Sequence, residues 1–357
     1  MKENFQEQQI ELTIPGRLCL FGEHSDWAAE YGIYKGYCIV IGTDQGISAT
    51  AMPCDRFMVE TKLCDSLGRP TGRTRQASCL WEPDVLLAAA HDETEFFRYC
   101  AGVAYEMLTQ FNITHGIDVR ITKMDLPLKK GVSSSAAVCV LMAKAFDAVY
   151  KLRMFPHELM ELAYLGEKLT GSQCGRMDQA CIYGKTPVLL RCEKSKDVHV
   201  EPIFAGGKIY MFFVDLAGEK DTVQILDDLQ SNYPGSSNLQ RALGEENEQI
   251  VRRAYRAIQN GNAEELGILM TEAQRIFDSL VAPNSPSQLA SPLLHEVLNF
   301  EGIAEHIYGC KGVGSQGDGT AQFVARSADA RDAAMTKIEA AFPQMQCLPL
   351  TMLNGSS

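Results

Sequence analysis

Closely spaced metal-ligand cysteines are missing from this chain. Its twelve cysteines fall at 19, 38, 54, 64, 79, 100, 139, 174, 181, 192, 310 and 347, and no two form a CxxC pair. That removes a zinc site built on short ligand spacing. A disulfide framework belongs mainly to short secreted chains, and this one has 357 residues. Most of the cysteines lie among apolar or small residues, where a free thiol behaves as a small hydrophobe. No apolar run approaches the ~20 residues that span a bilayer. The opening stretch MKENFQEQQ has no signal-peptide apolar core. The expectation is a cytoplasmic protein with reduced thiols. Positive charge is also short, with 33 Lys and Arg against 45 Asp and Glu, a net charge of −12. That argues against nucleic-acid or membrane-surface partners and still allows a local basic pocket for phosphate. Neither an internal repeat nor a long charge run is present.

What is there reads as a mixed α/β chain, long enough for one large domain or two ordinary ones. Strand patterns occur at 10–21, 116–121, 188–192, 198–203, 209–216 and 322–325, and a strand pair is expected over 37–51, turning at 42–46. Helical periodicity covers 93–111, 136–150, 156–168, 239–259, 263–280 and 328–342. The segment 136–150 is apolar on nearly every face, which predicts a deeply buried helix. Segments 231–238 and 282–292 read as loops by composition. A weak shift in composition puts a domain boundary near 195, giving 1–195 and 196–357.

Three segments carry chemistry. LKKGVSSSAA, residues 128–137, joins a glycine to three hydroxyl residues and opens into the buried helix. Free N–H groups and the positive dipole end at such a terminus attract phosphate. It is not a Walker A loop, and taken alone a serine N-cap on a core helix is the simpler account. PGRLCLFGEHSDW, residues 15–27, sets Arg17, Glu23, His24 and Asp26 beside a glycine turn, a group able to hydrogen-bond several hydroxyls of a polar small molecule. A surface turn with a structural histidine is the plainer alternative. GCKGVGSQGDGT, residues 309–320, is dense enough in glycine to lie against a ligand or to form a flexible connection.

In this order the three segments resemble the signature motifs of the GHMP kinases, the superfamily of galactokinase, homoserine kinase, mevalonate kinase and phosphomevalonate kinase. The first is similar to the galactokinase form with its GEH-x-D run, and KGVSSSAA is similar to the plant arabinokinase version of the second. CGRMDQ, residues 174–179, resembles a further galactokinase segment, and Phe96 to Val103 is weakly similar to a galactokinase helix near the adenine. Three departures stand out. Trp27 replaces a tyrosine, Gln316 and Asp318 interrupt the third motif, and no tyrosine-and-arginine run follows Asp215.

The resemblance implies a two-lobed α/β (α+β) fold, with a ribosomal-protein-S5-domain-2-like N-terminal lobe, a ferredoxin-like C-terminal lobe and an active site in the cleft. It implies ATP and Mg²⁺ as cofactors and a small-molecule sugar as acceptor, phosphorylated at the anomeric hydroxyl. Asp178 would act as base and Arg17 would hold it ionised and steady the phosphoryl group. Ser135 and Glu167 would bind the metal. Glu23, His24, Asp26 and Gly175 would read the sugar. Phe96, Lys130, Gly131, Val132, Ser133, Ser134, Ser135 and Ala136 would take ATP, with Gly312, Gly314, Gly317 and Gly319 forming the third-motif loop. Two alternatives stay open: a sugar- and ATP-binding sensor with little turnover, and a kinase for a non-sugar alcohol.

Overall fold

The computed structural model describes residues 9–64, 70–126, 134–194 and 198–353. Lys130, Gly131, Val132 and Ser133 of the expected phosphate loop lie outside the described residues. In chain order the strands are β1 Ile10–Phe21, β2 Gly36–Cys54, β3 Arg56–Cys64, β4 Pro70–Leu80, β5 Gly116–Met124, β6 Val188–Cys192, β7 Val198–Pro202, β8 Ile209–Asp215, β9 Ile307–Gly312, β10 Thr320–Ala325 and β11 Gln346–Met352. The helices are α1 Ser25–Ala28, α2 Pro83–His91, α3 Arg98–Gln110, α4 Ser134–Tyr150, α5 Pro156–Lys168, α6 Thr222–Asn232, α7 Ser237–Arg241, α8 Asn247–Gln259, α9 Ala263–Ile276, α10 Pro286–Leu289, α11 Pro292–Leu298 and α12 Ala328–Ala341. The mixed α/β class is as expected.

The chain falls into two compact units that interleave in sequence. Residues 9–16, 45–126 and 134–184 form one, and 17–44 and 185–353 form the other. Strands β1 and β2 therefore contribute to both.

In the first unit the strands run β4-β3-β5-β2. β3 and β5 pair in parallel, Met58 opposite Asp118, and β5 pairs antiparallel with the second half of β2, Ile47 opposite Met124. A parallel pair needs a long crossover, and β4, α2 and α3 supply it. Val59, Ala49, Ala51, Ile117 and Val119 are fully buried, as are Leu141 and Phe146 of α4. The near-uniform apolar character of α4 is thus explained by core burial on most of its faces.

In the second unit β11-β8-β10-β9 make an antiparallel sheet. Phe212 and Phe323 stack across it at 4.7 Å within a core completed by Val214, Val297, Ile303 and Ile338. The first half of β2 pairs with β6, and β6 with β7. A second cluster gathers Trp27, Ile225, Leu229, Tyr233, Leu243 and Phe277.

Two local readings are corrected. Residues 37–51 do not turn at 42–46 but belong to one 19-residue strand, β2. Gly46 is there because β1 passes so close that a Cβ would overlap the carbonyl of Ile14. Helix 93–111 starts only at Arg98, since Asp92 Oδ1 accepts from Thr94 N at 2.8 Å and holds the preceding segment as a turn.

Candidate active site

In the first unit the chemistry collects where α4 begins and α5 ends. Ser134 and Ser135 open α4, both half-buried, ahead of the fully buried Ala136. Ser135 Oγ donates to Glu167 Oε1 at 2.8 Å. Glu167 is 2% exposed, and its Oε2 accepts from Gln179 Nε2 at 2.7 Å. Helix α5 enters at Pro156, with Glu158 Oε2 accepting from Phe155 N at 2.7 Å. Beyond its end, Thr170 Oγ1 donates to the carbonyl of Glu167 at 2.8 Å.

A helix crossing sets the depth of Glu167. Gly102 of α3 meets Gly166 of α5 so closely that a Cβ on Gly102 would overlap the carbonyl of Gly166. A Cβ on Gly166 would come 2.6 Å from the backbone nitrogen of Val103. Larger residues would push the helices apart and carry Glu167 with them. The field of its carboxylate reaches the surrounding groups. Burial first, then Glu167, push the thiols of Cys139 and Cys174 well above their ordinary value. Neither thiol is poised to act as a nucleophile.

Half-buried Asp178 opens a 3₁₀ turn, Asp178–Tyr183, directly before Gln179. Gly175 is buried just upstream. Arg176 anchors this approach. Its Nε donates to Glu161 Oε2 at 2.8 Å and Nη2 to Glu161 Oε1 at 2.9 Å, with its guanidinium 4.0 Å over the Tyr164 ring. Phe96 is 46% exposed, with the Arg75 guanidinium 4.6 Å over its ring.

The second unit carries the other motifs. Arg17 lies on β1 with 4% exposure, and Glu23, His24 and Asp26 are each buried just beyond its end. The bend between them uses two left-handed residues, Gly22 at φ 94° and His24 at φ 69°. A Cβ on Gly22 would overlap the carbonyl of Tyr37, so only glycine fits. Ser25 Oγ pins the bend, donating to Gly22 O at 2.8 Å and accepting from Tyr37 N at 3.1 Å.

Trp27 has a function in this bend. Its Nε1–H donates to His24 Nδ1 at 3.0 Å, which places any proton of neutral His24 on Nε2. His24 also stacks on Phe277 at 6.1 Å. The third-motif loop follows β9. Gly314 and Gly317 have φ of 64° and 72°, and Gln316 between them has 64°. Gly312 ends β9, its N–H donating to Gln274 Oε1 at 2.7 Å. Lys220 Nζ donates to the carbonyl of Gln316 at 2.9 Å, alongside Gly319. Asp318 Oδ1 accepts from Leu294 N at 2.9 Å, at the start of α11.

The structure thus brings Ser135, Glu167 and the Asp178–Gln179 segment together in one unit. It brings Glu23, His24 and Asp26 together at one bend in the other. Gln179, Arg176 and Lys220 were given no role from sequence. Gln179 could have been found, since it ends the CGRMDQ segment, whereas Arg176 and Lys220 owe their places to tertiary contacts.

Residues 98–185 match the family of the GHMP kinases N terminal domain. The chain is 26% identical over 194 residues to a galactokinase of Roseiflexus sp., covering 52% of this chain and 44% of that protein, so it spans less than half the relative's length. Solved structures align along nearly the whole chain. The Lactococcus lactis galactokinase complexed with galactose has a TM-score of 0.72 at 16% identity, over 98% of this chain and 95% of that one. The L. major mevalonate kinase in complex with R-mevalonate has a TM-score of 0.71 at 18% identity, over 98% of both chains. The domain match falls on the segment that holds Ser135, Glu167 and Asp178, and there the chain is similar to the GHMP kinases N terminal domain and to galactokinases.

Proposed function

We propose that the chain is an ATP-dependent sugar kinase that transfers the γ-phosphate of ATP to the anomeric hydroxyl of a monosaccharide. The observation that carries this reading is the Ser135–Glu167–Gln179 cluster at the start of α4, one residue from Asp178. Phosphoryl transfer needs charge neutralised at the phosphates and an acceptor oxygen oriented for attack. Asp178 is the carboxylate beside this cluster to accept the acceptor's proton. Arg17 is a permanent cation suited to the charge of the transferred group.

The donor chemistry of Ser135 and Glu167 fits Mg²⁺. A hydroxyl and a buried carboxylate, 2.8 Å apart, are hard oxygen donors. Among the described residues no group of three or more His, Cys, Asp or Glu gathers for a metal. Mg²⁺ commonly takes one or two carboxylates plus substrate phosphates and water. When bound, it would neutralise phosphate charge. Gln179 holds the Glu167 carboxylate in place from its other oxygen. Glu23, His24 and Asp26 suit an acceptor with several hydroxyls better than a largely apolar alcohol.

The test is incubation with ATP and Mg²⁺ over hexoses, pentoses, uronic acids and heptoses, with phosphorus NMR of the product. ATP consumption with phosphate on the anomeric oxygen is expected. Phosphate on a primary hydroxyl overturns the anomeric assignment. Sugar binding without ATP consumption makes the chain a sensor.

A further inference from the structure

Lys311 is 1% exposed, and its Nζ forms an ion pair with Glu23 Oε1, 288 positions away in sequence. We propose that Lys311 is a positioning residue for the acceptor. It clamps one oxygen of Glu23 and presents the other to an acceptor hydroxyl. The inference rests on the sugar-kinase reading and adds to it a residue outside the three acidic and imidazole groups of the bend.

A fully buried lysine is rare because its charge loses water. This one is held in a frame with little freedom. On β9 it lies opposite Gln322 of β10. Its Nζ also donates to Gly312 O at 2.9 Å. Gln322 Nε2 donates to Cys19 O at 2.7 Å, which fixes β1 two residues before Phe21. Gly312 N is fixed in turn by Gln274. The ammonium therefore has a set position, and Glu23 follows it.

Glu23 itself is 8% exposed, between left-handed Gly22 and His24. Its backbone is set by the bend and its Oε1 by Lys311. Oε2 has no hydrogen-bonding partner among the described residues. A carboxylate neutralised on one oxygen and open on the other accepts a hydroxyl with defined direction. Without the ammonium, the same buried carboxylate would have neither its charge balanced nor its rotamer fixed. The thiol of Cys19 lies within the field of Glu23, Lys311, Arg17 and Asp26, and burial pushes it well above its ordinary value, so it stays neutral.

The experiment compares Lys311→Met, Glu23→Gln and the double variant with the unmodified chain, on the best acceptor of the sugar panel. Lys311→Met should raise the acceptor KM by about tenfold or more, the scale of one charged hydrogen bond. The KM for ATP and kcat at saturating acceptor should change little. The double variant should be no worse than Glu23→Gln alone, because Lys311 acts through Glu23. It also replaces the pair by two neutral groups, which keeps the test open if the single change fails to fold. An unchanged acceptor KM in Lys311→Met, or additive losses in the double variant, overturns the role of Lys311 alone. An unmodified chain that phosphorylates no acceptor overturns the kinase reading itself, and this role with it.

Discussion

Ser135 and Glu167 stand 32 positions apart in sequence and share a hydrogen bond of 2.8 Å, hydroxyl to carboxylate, between the start of one helix and the end of another. A Gln at 167 keeps the shape but offers a hard cation a neutral oxygen. Glu167→Gln should raise the Mg²⁺ concentration for half-maximal rate by about tenfold or more, with a smaller effect of Ser135→Ala. Magnesium titrations of initial rate at saturating ATP check it; superimposable curves would remove both residues from cation binding.

Asp178→Asn removes charge and proton acceptor together. Loss of a general base costs ~10²–10⁴-fold in rate, so kcat should fall on that scale while ATP affinity is nearly kept. Steady-state kinetics with a separate nucleotide-binding measurement distinguish the two. A kcat equal to that of the unmodified chain would exclude Asp178 as the base.

Gly166→Ala tests the crossing of α3 and α5. The added methyl meets Val103 at 2.6 Å on both backbone and side chain. Overpacking of this kind costs roughly 1–3 kcal/mol, read as a lower urea midpoint with unchanged m. Because Glu167 is the next residue, the Mg²⁺ requirement should rise in the same variant.

Trp27→Phe deletes the donor to His24 Nδ1. The variant should lose about 1–3 kcal/mol, combining a lost hydrogen bond with a smaller buried ring. Acceptor KM should rise with it, since His24 is no longer fixed in one tautomer. An unchanged acceptor KM despite lowered stability would confine Trp27 to packing.

Alkaline pH should weaken the fold through its buried thiols. Burial pushes Cys100 from an ordinary 9.0 up to about 12. The folded chain keeps a proton that the unfolded chain releases. Stability is therefore full below pH 9 and falls as pH rises toward about 12. Each such thiol contributes a slope of about 1.4 kcal/mol per pH unit in that window. Urea unfolding of Cys100→Ala between pH 8 and 10.5 should give the shallower slope.

The legible part of the site was written in short contiguous stretches. Ser135 sits in a glycine- and hydroxyl-rich segment whose residue types point to phosphate, whereas Glu167 and Asp178 were singled out only through the resemblance. Glu23 and Asp26 were legible from their residue types as groups able to hydrogen-bond hydroxyls. Lys311 was not, because a single lysine in a strand acquires meaning only from a carboxylate 288 positions away. Arg176 owes its place to Glu161 on a helix face, a pairing that residue types do not encode. The fold followed the same division. Helix α4 and strand β8 are apolar enough to be read directly. Strands β3 and β4 were missed because exposed Arg73, Thr74, Arg75 and Gln76 mask the alternation of β4. Strand β2 was split in two because Gly46 marks a close approach of β1 rather than a turn.

The interleaving of the two units limits how the gene can be cut. A fragment of residues 1–195 would carry Glu23 and the carbonyl of Cys19 without Lys311 and Gln322, which satisfy them from β9 and β10. It would leave Glu23 without its cation and half of β1 without its cover. The complementary fragment would leave Lys311 without its counter-ion. Neither half is a module that recombination could transplant. Fusion or permutation of this chain has to preserve the return of residues 17–44 to the C-terminal strands.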